Sequence, residues 1–150
     1  MDTEISKPLD RTDLLILKAL QENARLSFKE LGRLVSLSSP AAAERVHRLE
    51  EAGLIIGYQA VIPPEKLGCP IQVFIRLHTT SEKYPKILAL VESMPEVLEC
   101  HHVTGDDSFV MKAAVASMER LEELIARISP FGETSTALVM SSPLRRTLHL

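Results

Sequence analysis

Residues 36–53, SLSSPAAAERVHRLEEAG, concentrate the side chains best suited to grip an anion. Arg45, His47 and Arg48 follow three alanines, a proline and the pair Ser38 and Ser39. Guanidinium forks bind phosphate oxygens or the acceptor edge of guanine, and small residues at the leading end of a helix let it come close to base edges. Ser38 or Ser39 followed by Pro40 reads as a helix start, because proline in the first turn gives up an N–H that has no partner there anyway. Gly53 reads as the helix stop. At about 100° per residue, Ala42, Val46 and Leu49 share one face. Ala41, Glu44 and Arg48 point away from it, with Arg45 and His47 on the flanks. The pattern predicts a helix that packs on one side and offers Ser38, Ser39, Ala41, Ala42, Glu44, Arg45, His47 and Arg48 to the major groove of a duplex. A solvated helix with a Glu44–Arg48 pair four residues apart is the plainer alternative.

Charge supports a local anionic partner. The whole chain carries a formal −3, yet residues 25–48 hold five basic residues against two acidic ones. Residues 61–150 hold 9 basic and 11 acidic residues, so the positive field belongs to the N-terminal part. Two more helices must position the arginine-bearing one. LDRTDLLILKALQEN has Asp10 at an N-cap, Asp13 three residues on, and Leu14, Leu17 and Leu20 as a core stripe. Ser27 with Glu30 is a capping-box pattern, followed by Leu31, Leu34 and Val35 before a turn at Ser36. Arg25, Ser27 and Lys29 stand where that second helix begins, and its free N–H groups suit a phosphate.

Beyond Gly53 the period changes. LIIGYQAVIP reads as a strand, and the Pro63-Pro64 and Gly68–Pro70 clusters read as a linker. IQVFIRLHT, LECHHV, SFVMKAAVA and TSTALVM read as strands, and YPKILALVESM and MERLEELIARI as helices. The order is β-α-β-β-α-β, an antiparallel sheet with both helices on one face. The uncovered face predicts association of at least two copies.

Other chemistries find little footing. Cys69 and Cys100 have no CxxC spacing and read as buried reduced thiols. Cys100, His101, His102 and His78 do not make a metal set, because adjacent strand residues point to opposite faces. No nucleophile–base grouping, paired catalytic carboxylates or glycine-rich phosphate loop is present, so neither catalysis nor a cofactor is expected. With no membrane-length apolar run and no signal segment, a cytoplasmic protein is expected.

Three blocks in order, LDRTDLLILKALQENARLS, LGRLVSLSSPAAAERVHRLEEAGLIIGY and VLECHHVTGDDSFVMK, make the chain resemble the leucine-responsive and asparagine-regulator (Lrp/AsnC) family over nearly its whole length. The resemblance implies an α+β protein, with an N-terminal (winged) helix-turn-helix domain over 1–60 and a linker over 61–70. A βαββαβ ferredoxin-like regulatory (RAM) domain follows over 71–150. It implies a transcription regulator that binds double-stranded DNA, dimerises and assembles to octamers, and answers to a small-molecule effector, typically an amino acid. The family's loop usually reads Gly-Asp-aromatic-Asp-Tyr, where this chain has Gly105-Asp106-Asp107-Ser108-Phe109. Thr104, Gly105, Asp106, Asp107 and Ser108 are the expected effector loop, its carboxylates suited to an ammonium and its N–H groups to a carboxylate. Thr134, Ser135 and Thr136 of a neighbouring subunit's last strand supply further polar contacts. As a connection between two strands, the loop also serves as a hairpin turn. The rival readings are an effector-independent architectural DNA-wrapping protein, and a metabolite-binding α+β module whose helical N-terminus makes protein contacts. DNA affinity that ignores salt favours the latter, because phosphate neutralisation must release counterions.

Overall fold

The computed structural model describes residues 8–145. They form two compact units, one reaching to Ala60 and the other Val61–Leu144. The first opens with α1, Arg11–Glu22, capped as its sequence requires. The Asp13 N–H donates to Asp10 Oδ1 at 2.8 Å, and the Asp10 N–H donates to Asp13 Oδ2 at 3.1 Å. Helix α2, Phe28–Val35, begins with the same reciprocal arrangement between Ser27 and Glu30. Helix α3, Ser39–Glu51, has Ser38 as its cap, with Pro40 in the first turn. It closes at Ala52, and Gly53 follows in the left-handed region at φ +69°.

The turn between α2 and α3 is the tightest point of this unit. Ser36 adopts φ +58°, and the Gly32 carbonyl accepts N–H groups from both Ser36 and Leu37, the latter at 2.8 Å. A Cβ on Gly32 would stand 2.6 Å from the Leu37 carbonyl oxygen, so only glycine admits this approach. Ile16, Leu31, Val35, Val46 and Leu49 make the core. The expected leucine stripes therefore need correcting. Ile16 holds the centre of α1, whereas Leu14 and Leu34 stand exposed. Leu17, Leu20, Leu31 and Val35 join or pack against this core as the stripes require, so the correction is confined to Leu14 and Leu34.

The strand expected in LIIGYQAVIP is absent, so the wing and the strand-bearing linker are corrected here. Leu54 and Ile55 fold back onto the core, their N–H groups donating to Leu49 O at 2.9 and 3.1 Å. From Ile56 the chain has no neighbouring strand to pair with, and Ile56 and Val61 are 96% and 94% exposed. Alternating apolar residues favour extended backbone, but a strand exists only when its N–H and C=O groups find a ladder. A short 3-10 turn, Pro64–Leu67, precedes the sheet.

The second unit runs β1 (Ile71–His78), α4 (Tyr84–Glu92), β2 (Val97–His102), β3 (Phe109–Val115), α5 (Met118–Ile128) and β4 (Glu133–Leu138). The strands stand in the order β2-β3-β1-β4, every pair antiparallel. Period-two alternation sorts the side chains. Val73, Ile75 and Leu77 of β1 and Phe109, Met111, Ala113 and Val115 of β3 pack with Ile87, Leu121, Leu124 and Ile128 of the helices in one core. Phe74, Arg76 and His78 project from the opposite face and remain exposed. Among the described residues no helix is long and apolar enough to cross a membrane.

Gly32→Ala is expected to destabilise the first unit by about 1–3 kcal/mol, the range for forcing an extra carbon into a packed site. Urea unfolding followed by helical circular dichroism measures it, and the change should appear in the transition midpoint with the slope preserved.

Candidate nucleic-acid interface and effector loop

Helix α3 buries Ala42, Val46 and Leu49 and leaves Ser39, Glu44, His47 and Arg48 exposed, with Ala41 half-buried. Ala42 retains no exposed surface, which removes it from the groove-facing set; its methyl lies on the packed face that the periodicity itself indicated. Ser38 Oγ accepts the Ala41 N–H at 3.3 Å and so serves the cap. The Glu44–Arg48 pair of the plainer alternative gives way to a different partner, since Arg48 Nη2 lies 3.7 Å from Asp13 Oδ1.

Arg45 is the best-held cation of the helix. Its Nη1 donates to Asp10 Oδ2 at 2.6 Å and to Asp13 Oδ1 at 2.9 Å. The two capping carboxylates of α1 therefore use one oxygen each on their own backbone and turn the other toward α3. Hydrogen bonds from Arg45 and then from the Asp13 N–H hold the Asp10 carboxyl at about 2, below its ordinary 3.8. Its hydrogen bonds to the Asp10 carboxylate and then to the Asp13 carboxylate raise the Arg45 guanidinium above its already high value.

A second cluster borders the exposed face. His47 Nδ1 lies 3.1 Å from Glu50 Oε2, and its ring meets Phe28 edge to face at a 6.0 Å centroid separation. The Tyr58 hydroxyl donates to Glu50 Oε1 at 2.8 Å and is pushed up to about 12, by burial first and by Glu50 second. At the start of α2, the Ser27 N–H and hydroxyl both donate to Glu30 Oε2, at 2.8 and 2.7 Å. Glu30 thus occupies the N–H and hydroxyl of Ser27, and the side chains of Arg25 and Lys29 stand exposed beside this helix start. Asp10, Asp13, Glu50 and Tyr58 were not expected in this role. Asp10 and Asp13 stand 35 and 32 residues before Arg45 and Tyr58 eight after Glu50, whereas Glu50 lies within α3 itself, three residues from His47.

The β2–β3 connection is the hairpin foreseen, with Val103 N–H donating to Ser108 O at 3.1 Å and Gly105 at φ +111°. It is firmly tied to the end of β1. Ser108 is buried; its Oγ accepts the Thr79 N–H at 3.1 Å and donates to the Thr79 carbonyl at 2.9 Å. That hydroxyl has given its one donor and one of its two lone pairs to Thr79, and its burial keeps a ligand away from the other. His78 Nδ1–H donates to the Asp106 carbonyl, and Asp107 Oδ2 sits 3.9 Å from Arg76 Nε. Thr104, Gly105 and the Asp106 carboxylate remain open.

The trio on β4 does not share one face of the sheet. Thr134 and Thr136 lie opposite Leu77 and Ile75 on the helix-bearing side, whereas Ser135 lies opposite Arg76 on the bare face. Within one chain β1 stands between these residues and the loop. His101 and His102 point apart as expected, the first toward Glu99 at 3.2 Å and the second against Tyr84 at a 4.7 Å ring separation.

Comparison with known proteins agrees with this geometry. Residues 9–50 match the AsnC-type helix-turn-helix domain and residues 72–148 the Lrp/AsnC ligand binding domain. The chain is similar to the HTH-type transcriptional regulator YezC of Bacillus subtilis, 45% identical over 89% of this chain and 95% of the relative. It is also similar to the leucine-responsive regulatory protein of Haemophilus influenzae, 34% identical over 93% and 89%. Among solved structures, a transcriptional regulator of Neisseria meningitidis in complex with L-Met superposes with a TM-score of 0.87 at 31% identity, covering 93% of this chain and 95% of that one.

The low value of the Asp10 carboxyl sets a direction with pH. Because it lies below the ordinary 3.8, its contribution is complete above 3.8 and is lost as pH falls through about 2. Carboxyl-detected NMR titration should place the Asp10 midpoint near 2, and Arg45→Ala should return it toward 3.8.

Proposed function

The chain belongs to the Lrp/AsnC family of helix-turn-helix transcriptional regulators, and from that membership we propose that α3 reads the major groove of double-stranded DNA. It is a DNA-binding regulator with a ligand-binding domain and not an enzyme. In this reading Ser39, Ala41, Glu44, His47 and Arg48 face the duplex, and Arg25 and Lys29 hold phosphates at the start of α2. The observation that carries it is the one-sided burial of α3, which frees a polar, cationic face in the unit that matches the helix-turn-helix domain.

The regulatory half extends the proposal. Residues 1–60 bind DNA, 61–70 link, and 71–150 bind an effector and associate. The effector is an amino acid, met by the Asp106 carboxylate and by the N–H groups of the loop around Gly105, with Ser135, on the bare sheet face, contributed from a neighbouring subunit. Support comes from the open loop polar groups and from the related regulator solved with L-Met. Association uses the bare sheet face around Phe74, Arg76 and His78, in dimers that assemble further to octamers. Two-fold pairing presents two copies of α3 to half-sites about 34–36 Å apart. An effector that prefers one assembly shifts the population toward it by its differential affinity and no more. The protein acts in the cytoplasm, where its DNA lies.

Duplex binding should weaken steeply with salt, and Arg48→Ala should lower the slope of log affinity against log salt by about 0.9, the loss of one phosphate contact. Electrophoretic mobility shift across a salt series checks this; an unchanged slope contradicts the assignment of Arg48. A thermal-shift screen of the twenty amino acids should find a stabilising ligand, worth about 2.7 kcal/mol at a hundredfold excess over Kd, and Asp106→Ala should abolish the shift.

A further inference from the structure

The arginines of α3 differ in what they would give up to touch DNA. Arg45 donates twice from one nitrogen, to Asp10 Oδ2 and Asp13 Oδ1, and its side chain is 26% exposed. Arg48 is 44% exposed and stands 3.7 Å from Asp13. The acceptors beneath Arg45 are themselves immobile, because each carboxylate holds the other residue's backbone N–H in the capping box of α1. The Asp13 side chain is only 10% exposed. Swinging Arg45 out to a phosphate would exchange two anionic partners for one and leave the nearly buried Asp13 carboxylate only the Asp10 N–H and Arg48 at 3.7 Å, an unfavourable exchange.

The geometry points to Arg45 as a positioning residue. Its guanidinium fixes the rotation of α3 against the head of α1, so that Glu44, His47 and Arg48 face the duplex while Arg45 itself touches no phosphate. This rests on the DNA-binding reading of the first unit. A helix turns about 100° per residue, so a slip of a fraction of one position would take Glu44 and His47 off the base edges, whereas the long Arg48 side chain keeps its reach to the phosphate backbone. Sequence pattern ranks Arg45 and Arg48 alike, as flanking cations; the acidic cap of another helix separates their roles.

Full-length protein and a 40-base-pair duplex carrying the site that the unmodified protein selects from a random-sequence pool distinguish the two roles, with affinity measured across a salt series at a temperature where circular dichroism shows each variant folded. Arg45→Ala should weaken binding about tenfold, the worth of one well-made base pairing that a rotated helix no longer reaches, while keeping the parent's salt slope. Arg45→Gln, still able to donate to a carboxylate, should weaken it less and keep the same slope. A slope reduced by about 0.9 in either variant would assign Arg45 to a phosphate and overturn the inference. Arg45→Ala binding as tightly as the parent would overturn it too, by showing that register does not depend on this residue. Should Arg45→Ala fail to fold, Arg45→Gln alone decides through its slope. Failure of the unmodified protein to bind the duplex even at low salt is a separate outcome and refutes the DNA-binding reading instead.

Discussion

Two carboxylates at the head of one helix govern how another is presented. Asp10 and Asp13 each keep one oxygen for the backbone of α1 and offer the other to Arg45, so a local capping device doubles as a long-range clamp. The arrangement joins residues 32 and 35 positions apart, and it does so where Asp13 is nearly out of water and the interaction is weakly screened. Apolar contacts among Ile16, Leu31, Val35, Val46 and Leu49 hold the three helices together, but such contacts are non-directional and tolerate small rotations. The charged fork does not. Groove readout demands that particular side chains point outward within a narrow angle, and a directional bond supplies what packing leaves loose.

The second unit solves a different problem with a sheet. All the apolar side chains of β1 and β3 that find a core do so on the side of α4 and α5, which leaves a face of mixed apolar and charged residues without helical cover. Polar groups on the loop side are mostly committed. Ser108, Asp107 and the Asp106 carbonyl are tied to Thr79, Arg76 and His78, all at or beyond the end of β1. The loop is therefore a stiff platform, with its openings at Thr104, Gly105 and the Asp106 carboxylate. Stiffness matters for a regulator, because a ligand acts on an assembly only through contacts that differ between its states.

Local signals in the sequence translated well. Capping residues three apart marked the starts of α1 and α2, and serine followed by Pro40 that of α3; the order of strands and helices in the second unit followed from their periods, with α5 found at its full extent, Met118–Ile128. Non-local facts did not. The stretch LIIGYQAVIP carries the composition of a strand, yet pairing depends on a neighbour that its own residues cannot specify. Leu14 and Leu34 match the helical period but miss the core, because neighbouring helices decide which part of an apolar stripe is covered. The fate of Ala42 and the opposed directions of Thr134, Ser135 and Thr136 were legible, since helical and strand periods fix both; grouping them by polarity or size alone hid it. Arg45 is the case beyond reach, because nothing in the run AAAERVHRLEE shows that two acids of the first helix lie beneath it.

The clamp itself can be weighed directly by a double-mutant cycle of Asp13→Asn and Arg45→Gln, with the stability of the full chain read from urea unfolding. Real coupling predicts an interaction energy of about 0.5–3 kcal/mol, the range for residues in one charged network. Additivity within roughly 0.3–0.5 kcal/mol would show that the two residues are merely neighbours, and the account of how α3 is held would fall.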